Sequence, residues 1–235
     1  MRWRHTFLLL PLAFLALLAV APDSRAASGT IDLEPHLRRD GYQDLSISPQ
    51  GQFYAATVMQ EDRSVLVVIR RADKARTATF TLGRNSYVSD FLWASEDRLL
   101  VTMAERFGVL EHPQPTGEIF GVNTDGSRAK LLFSRRAGNN GDEGAIALAL
   151  SPPSGDAAFL LDALPADPKA VLVTVWPMGD LPMTHVAKMD VDTGNRTTVA
   201  LAPVPRASFT VDGDGEVRFA SGAKADNLQK LYFRS

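Results

Sequence analysis

The segment G-E-I-F-G-V-N-T-D-G-S-R-A-K-L-L-F, residues Gly117 to Phe133, decides the fold. Apolar and polar residues alternate on both sides of Asp125-Gly126, which is the pattern of a β-hairpin closed by a tight turn. A second segment, H-V-A-K-M-D-V-D-T-G-N-R-T-T-V-A-L, residues His185 to Leu201, has the same design around Thr193-Gly194. A hairpin that recurs with different residues predicts a repeated β unit.

The rest of the chain also favours strands. Phe53–Met59 is aromatic and β-branched, Val65–Ile69 is a continuous apolar run, and Thr77–Leu82 alternates with period two. Glu34 to Arg39 allows one helical turn, and no longer run with helical period follows the N-terminal region. The sequence therefore predicts an all-β protein of short strands separated by Gly, Asp and Pro turns.

A strand–turn–strand pattern recurs as well. It reads L-S-I-S-P-Q-G-Q-F from Leu45, F-L-W-A-S-E-D-R-L-L from Phe91 and F-T-V-D-G-D-G-E-V from Phe209. The first two turns are roughly 46 residues apart, which is the length of one β-propeller blade. In a four-stranded blade one turn joins the inner strands and another joins the outer strands. We expect Asp125-Gly126 and Thr193-Gly194 to be outer turns of successive blades.

The predicted propeller covers residues 42–235. Its blades span 42–82, 88–133, 157–201 and 207–235, and a Gly-rich insertion at 138–144 precedes the third. The last blade offers three strands, ending with Leu228 to Phe233. Propellers close into rings of four to eight blades and proteins avoid open strand edges, so we expect a partial propeller cut from a larger protein. A small open assembly of sheets is the alternative.

The N-terminus has the pattern of a secretory signal peptide. Arg2 and Arg4 precede an apolar run from Phe7 to Ala21, and Ser24-Arg25-Ala26 is a small-x-small cleavage site. A membrane anchor is the alternative, but about 15 apolar residues fall short of the ~20 that span a bilayer. We predict a signal peptide at 1–26, a short N-terminal segment at 27–41, and an exported protein, periplasmic or secreted, with no stable membrane anchor after cleavage.

Composition excludes several classes of function. The net charge is -2, so no basic field exists to hold nucleic acid. The chain has no cysteine, which rules out disulfides, thiolate nucleophiles, Cys-type zinc sites and a lipoprotein anchor. With 45% hydrophobic and 22% charged residues, the chain has the profile of a globular protein.

The turn Ser48-Pro49-Gln50-Gly51 resembles the S-P-D-G turn of prolyl oligopeptidase-like (S9) serine peptidases and of TolB-type propellers. The ordered series L-S-I-S-P-Q-G-Q-F-Y-A-A-T-V, E-D-R-S-V-L-V-V-I, F-L-W-A-S-E-D-R-L-L-V-T-M and T-G-E-I-F-G-V-N-T-D-G-S looks like the N-terminal propeller of exported bacterial S9 peptidases of the dipeptidyl or acylaminoacyl peptidase type. It covers about Asp44 to Arg234. The resemblance implies a propeller that admits oligopeptides, and excludes folded proteins, in front of a C-terminal α/β-hydrolase domain.

The nucleophile of that hydrolase domain has no counterpart in this sequence. Its G-x-S-x-G elbow is absent, since Ser127 lies in D-G-S-R and Ser221 in A-S-G-A. We predict no catalytic residue, and no enzyme activity for the chain as it stands. Two alternatives to a gating segment remain open: a stand-alone, exported TolB-like module that binds a protein or glycan, and a truncated fragment without function.

Other candidate sites are weak. The acidic segment Asp212 to Glu216 lacks the ligand spacing of an EF-hand, as does Asp190-Val191-Asp192, so both are predicted to be turns. His36, His112 and His185 are far apart in sequence, unlike the close His pairs of zinc hydrolases. We therefore predict no metal and no cofactor.

One loop is a candidate for recognition. Glu105 to Thr116 joins the middle strands of the second blade and mixes charged, aromatic and proline residues, and loops on rigid scaffolds often bind partners. A loop without function is the alternative. Pro165 to Trp176 and Trp176 to Pro182 are similar but less distinctive, and Trp93 and Trp176 are expected to pack between blades.

Overall fold

A computed structural model of the chain describes residues 41–108, 112–135, 155–224 and 226–234. The predicted signal peptide, the helical turn at Glu34 to Arg39, His36 and the insertion at 138–144 lie outside the described residues. The described residues form strands and no helix. The strands are β1 (Leu45–Ile47), β2 (Phe53–Met59), β3 (Ser64–Arg70), β4 (Arg76–Phe80), β5 (Ser86–Trp93), β6 (Arg98–Glu105), β7 (Gln114–Asn123), β8 (Lys130–Phe133), β9 (Ala157–Ala163), β10 (Ala170–Trp176), β11 (His185–Asp190), β12 (Arg196–Leu201), β13 (Ser208–Val211), β14 (Val217–Ala223) and β15 (Gln229–Phe233).

The strands form four antiparallel sheets in chain order. Sheet 1 is β1–β4, sheet 2 is β5–β8, sheet 3 is β9–β12, and sheet 4 is β13–β15. Within each sheet every strand pairs with the strand next to it in sequence. The predicted all-β class is confirmed. Within the described residues the sheets are propeller-like blades, and sheets 1 to 3 have four strands each whereas sheet 4 has three.

The two hairpins predicted around Asp125-Gly126 and Thr193-Gly194 are confirmed. β7 pairs with β8 and β11 pairs with β12, both antiparallel. Gly126 has φ 82° and Gly194 has φ 77°, inside the left-handed region that glycine enters without a steric penalty. Backbone geometry therefore explains why glycine occupies the turn between β7 and β8 and the turn between β11 and β12.

Sheets 2 and 3 are buried on both faces, which explains their long apolar runs. In β6, Leu99, Val101 and Met103 lie in the core shared with sheet 1, whereas Leu100 lies in the core shared with sheet 3. Leu99, Leu100 and Val101 have no exposed surface. Each fully buried side chain of this size contributes about 1.5–3 kcal/mol, so consecutive apolar residues hold three sheets together.

Three cores join the sheets pairwise. Sheets 1 and 2 enclose Ala55, Leu66, Val68, Ala78, Phe80, Trp93, Leu99, Val101, Met103, Phe120 and Val122. Sheets 2 and 3 share Ala94, Leu100, Ile119, Leu132, Phe133, Ala158, Val171, Val173, Val175, Ala187, Met189 and Val191. The core between sheets 3 and 4 contains Leu172, Val186, Ala200, Ala202, Val204, Ala207, Phe209, Val217 and Ala220.

The ends of the sheets are aligned along the stack. We call one end the turn end; it comprises 48–52, 71–75, 94–97, 124–129, 164–169, 191–195 and 212–216. At this end Glu96 of sheet 2 accepts a hydrogen bond of 2.6 Å from Ser48 of sheet 1. Arg128 of sheet 2 lies 2.8 Å from the Asp192 carboxylate of sheet 3. Turns therefore meet turns from sheet to sheet.

The opposite end, which we call the loop end, comprises 60–63, 81–85, 177–184, 202–207 and the described parts of 106–113, 134–156 and 224–228. Its connections are also joined across sheets. The Asn85 N–H donates to the Asp62 carbonyl at 2.8 Å, and the Thr184 hydroxyl donates to the Ala207 carbonyl at 2.7 Å. A Cβ added to Gly117 would lie 2.4 Å from the Cβ of Ala157, so sheets 2 and 3 approach closely near this end.

Candidate functional site

The two ends of the stack differ in surface chemistry. The turns of the turn end expose no large apolar side chain among the described residues. The loop end exposes several: Leu82, Phe107, Met178, Leu181, Met183 and Leu228. Because loops on a rigid scaffold are where binding surfaces form, the loop end is the candidate interaction surface.

The connection 177–184 is the most apolar part of the loop end. Met178 is 57% exposed and Leu181 69% exposed. The loop is held in place although its apolar side chains face solvent, because the Met178 N–H donates to Asp156 at 3.1 Å and Arg206 donates from its backbone to the Pro182 carbonyl at 2.8 Å. The apolar side chains are thus presented on an anchored loop.

The candidate loop of the second sheet also contributes. Phe107 is 49% exposed, and the neighbouring Arg106 guanidinium lies 5.2 Å from the centre of the Tyr87 ring. The loop is shorter than predicted, since β6 continues to Glu105 and β7 begins at Gln114. Thr116 belongs to the strand and donates its hydroxyl to the Met103 carbonyl at 3.1 Å, so the ladder continues past the sequence boundary that we expected.

The segment Pro165 to Trp176, predicted to be a similar loop, is mostly strand. β10 occupies Ala170–Trp176, and the connection before it is a short turn in which Asp167 accepts the Lys169 N–H at 3.2 Å. Trp176 meets Phe159 edge to face, with ring centres 6.4 Å apart. Trp93 is buried in the core of sheets 1 and 2, where it was expected to pack.

A second candidate site lies between the first strands of sheets 1 and 2. A cavity of about 240 Å³ is lined by Asp44, Leu45, Ser46, Ser89, Asp90 and Phe91. Asp90 keeps contact with solvent, yet partial burial of its carboxyl raises its pKa. The hydrogen bond from the Phe91 N–H lowers that pKa, whereas the negative charge of Asp44 raises it. Two nearby carboxylates can attract a cationic group.

The predicted acidic turns are hydrogen-bonded turns. Asp212 accepts the backbone N–H of Asp214 at 3.0 Å and of Glu216 at 2.9 Å, and it is also paired with Arg218. The Arg218 guanidinium is the main reason that the pKa of Asp212 lies below its usual range. Asp190 accepts in the same way from Asp192, at 3.0 Å.

No group of three or more His, Asp or Glu side chains suited to a metal occurs within the described residues. His112 lies in the loop before β7 and His185 begins β11, in different sheets. Within the same described residues no helix is long and apolar enough to cross a bilayer.

Sequence reasoning missed the polar side chains that join the sheets. The Glu96 carboxylate accepts hydrogen bonds from the Ser48 hydroxyl and from the backbone N–H groups of Gln50 and Gln52, and so caps the turn of sheet 1. The only signal was S-E-D-R, which stands where the first repeat has S-P-Q-G. A sequence repeat shows that both turns exist but does not show that one binds the other.

Comparisons with known proteins show only distant likenesses. No family model and no curated protein matches the chain. Among solved structures, a prolyl endopeptidase is 17% identical with a TM-score of 0.45, over 82% of this chain and 27% of its own. TolB from Acinetobacter baumannii is 11% identical with a TM-score of 0.30, over 83% of this chain and 52% of its own.

A puromycin-hydrolyzing peptidase from Mycobacterium tuberculosis is 15% identical with a TM-score of 0.25, over 78% of this chain and 34% of its own. The chain thus spans about a quarter to a half of the length of these three structures. Likenesses this distant carry neither fold nor function, and the propeller-like sheets are shown by the chain's own strand pairing.

Proposed function

We propose that this chain is a non-catalytic propeller segment that controls the access of oligopeptides to an α/β-hydrolase domain, as in the exported S9 peptidases that it resembles. The observation that carries the proposal is the apolar loop end. Phe107, Met178 and Leu181 are exposed on anchored loops at that end, whereas the described turns of the turn end expose no large apolar side chain. Interfaces between protein domains are built around such apolar and aromatic side chains.

The residues of the family-like turn support the proposal. The Ser48 carbonyl accepts the Gly51 N–H at 2.8 Å, and the Ser48 hydroxyl accepts the Phe53 N–H at 3.0 Å. Ser48 is buried, and Gly51 has φ 74°. The motif is therefore a closed structural turn between β1 and β2, which is the role expected of it in a propeller blade.

The gating role also requires a rigid frame. Apolar cores on both faces of sheets 2 and 3, together with cross-sheet contacts such as Glu96 to Ser48, fix each sheet against the next. A frame of this kind can exclude folded proteins by size while its loop end contacts a catalytic domain. With the signal peptide predicted at 1–26, we place this function outside the cytoplasm, in the periplasm or the medium.

The intact mass of the native product in an extract of the source organism tests the proposal. We expect a species substantially longer than residues 27–235 that contains this sequence and reacts with a fluorophosphonate probe for active serine hydrolases. A soluble species that matches residues 27–235 and does not react with the probe overturns the gating role.

A further inference from the structure

The cavity between the first strands of sheets 1 and 2 is built entirely by those two neighbouring sheets. Its volume is about 240 Å³, and its lining consists of residues of β1 and β5 together with Asp44, which directly precedes β1. Each of the two strands pairs with the second strand of its own sheet, and the sheets share a buried core. The walls of the cavity are therefore fixed by the frame.

A β-bulge in β5 shapes one of these walls. Val88 is opposite Met103 and Asp90 is opposite Thr102, so Ser89 is the extra residue of the bulge. The Ser89 hydroxyl is hydrogen-bonded to the hydroxyl of Thr102, which is buried, at 2.9 Å. Bulges interrupt the alternation of side chains along a strand and redirect them. As a result, the consecutive residues Ser89 and Asp90 both line the cavity.

The two carboxylates of the cavity have no counter-charge. Within the described residues, neither Asp44 nor Asp90 forms a salt bridge, in contrast to Asp62, Asp167 and Asp212. Burial raises the pKa of Asp90, and the negative charge of Asp44 raises it further. A cation placed between the two carboxylates would relieve this repulsion.

The size and the other walls of the cavity fit a single side chain. Leu45 and Phe91 complete the lining beside the carboxylates and the hydroxyls, and Phe91 packs against the core of sheets 1 and 2. The volume is below the roughly 300–1,000 Å³ of sites that enclose whole drug-sized ligands. A side chain with an apolar stem and a cationic end matches both the volume and the mixed lining.

The hydrogen bonds already present favour an ammonium group over a guanidinium. A guanidinium fork binds best to both oxygens of one carboxylate. One oxygen of Asp90 already accepts the Phe91 N–H at 2.8 Å, and one oxygen of Asp44 accepts the Thr57 hydroxyl at 3.2 Å. An ammonium group has three donors on one nitrogen, so it can bind the other oxygen of each carboxylate and the Ser46 hydroxyl.

We propose that this cavity binds a primary alkylammonium group of a peptide, between the carboxylates of Asp44 and Asp90. A lysine side chain and a free amino end both carry such a group, and the apolar part of the lining favours the lysine side chain with its long alkyl stem. The site is separate from the proposed gating role and does not depend on it, because its test uses no hydrolase domain.

Matched pentapeptides test the site by NMR titration of the whole isotope-labelled chain. The first has lysine between two alanines on each side and both ends blocked, and its control has Nε-acetyl-lysine, which keeps the stem and removes the charge. The carboxyl signals of Asp44 and Asp90 and the amide of Phe91 report binding. We expect the lysine peptide to bind at least about tenfold more tightly than its acetylated control, because the carboxylates lose their cation.

Two further peptides distinguish the kinds of cation. One has arginine in place of lysine, and the other has norleucine in that position and a free amino end. We expect both to bind severalfold more weakly than the lysine peptide, because the guanidinium fork lacks a free bidentate partner and the amino end lacks the long stem. Tighter binding of either peptide overturns the assignment to lysine.

An asparagine variant locates the site on the protein. Asp90→Asn keeps an acceptor for the Phe91 N–H and removes the charge, so we expect a folded protein that binds the lysine peptide at least about tenfold more weakly. Asp73→Asn, in the exposed turn after β3, should leave the affinity unchanged. The signals of Asp44 and Phe91 in the unsubstituted chain keep the test valid if the variant fails to fold.

Three results overturn the proposal. The first is equal affinity for the lysine peptide and its acetylated control. The second is a titration that shifts signals elsewhere and leaves Asp44 and Asp90 unchanged. The third is displacement of the lysine peptide by Ca²⁺ at equal concentration, which would make the cavity a metal site. Ca²⁺ takes about six to eight oxygen ligands, and no group of three His, Asp or Glu side chains suited to a metal occurs within the described residues.

Discussion

Arg98 is a buried cation at the junction of sheets 2 and 3. Its guanidinium donates to the Val191 carbonyl at 3.0 and 3.3 Å, to Asn123 at 3.0 Å and to the Arg128 carbonyl at 3.0 Å. Burial lowers the pKa of Arg98, and the negative charge of Asp192 opposes that shift. A single side chain thus satisfies carbonyl groups from the outer turns of two sheets.

Replacing Arg98 by methionine should destabilise the protein by about 2–4 kcal/mol, because buried acceptors lose their donors. Urea unfolding measures the change. Arg84→Met is the control, since the Arg84 side chain is 82% exposed and its ion pair with Asp62 contributes at most about 1 kcal/mol. Similar losses for the two variants would contradict the structural role of Arg98.

Gly194 and Gly126 occupy equivalent turns but differ in their surroundings. A Cβ on Gly194 would lie 2.1 Å from the Leu132 carbonyl oxygen, whereas a Cβ on Gly126 would lie 3.6 Å from the Cβ of Ala78. We expect Gly126→Ala to cost about 1–2 kcal/mol for its positive φ alone. Gly194→Ala should cost about 3 kcal/mol or more, because a backbone clash is added. Equal urea midpoints for the two variants would contradict the close approach of Gly194 to the Leu132 carbonyl.

At the scale of the element, Glu96 connects two turns. Glu96→Ala leaves the N–H groups of Gln50 and Gln52 without their carboxylate acceptor, so we expect a loss of about 1–2 kcal/mol and faster amide exchange at both residues. The control is Asp97→Ala, because Asp97 accepts a side-chain hydrogen bond from Ser95 within its own turn. If exchange at Gln50 is as slow in Glu96→Ala as in the unsubstituted protein, the cap is not made in solution.

The carboxyl of Asp90, in the first strand of sheet 2, should titrate at a raised pKa. Burial, and then the charge of Asp44, raise the pKa of Asp90, so its ionised form is disfavoured in the folded state. Its effect on stability is therefore unfavourable at neutral pH and disappears as the pH falls through the raised pKa. The paired Asp212 has the opposite sign, because its lowered pKa gives stability that is lost as the pH falls.

Carboxyl NMR titration checks this assignment. Asp44→Asn should lower the pKa of Asp90 toward its ordinary value, because one repulsive charge is removed, although the shift caused by burial remains. Asp73→Asn, in a turn at the other end of sheet 1, should leave the Asp90 titration unchanged. An Asp90 curve that does not respond to Asp44→Asn would place the two carboxylates too far apart to interact.

At the scale of the whole molecule, we expect the isolated chain to have no peptidase activity. Its sequence contains no G-x-S-x-G elbow to expose a nucleophile. Chromogenic dipeptides measure this directly, and a serine hydrolase with that elbow is the positive control. Turnover that persists through purification and is blocked by a serine-directed inhibitor would overturn this prediction.

The sequence by itself determined the β class and the repeating hairpins. Alternation of polar and apolar residues has the period of a strand, and Gly126 and Gly194 supply the positive φ that tight turns need, so both signals are local. The length of the loop before β7 was predicted less well, because strand pairing across β6 extends the ladder through Thr116.

Only the tertiary structure decided which residues meet across sheets. The contacts of Glu96 with the turn of sheet 1 and of Arg98 with the turn of sheet 3 join residues far apart in sequence, and no local pattern specifies them. The apolar loop end likewise exists only once the sheets are stacked. Sequence period sets which side chains share a face, but the packing of one sheet on the next decides which of those faces remain exposed to bind a partner.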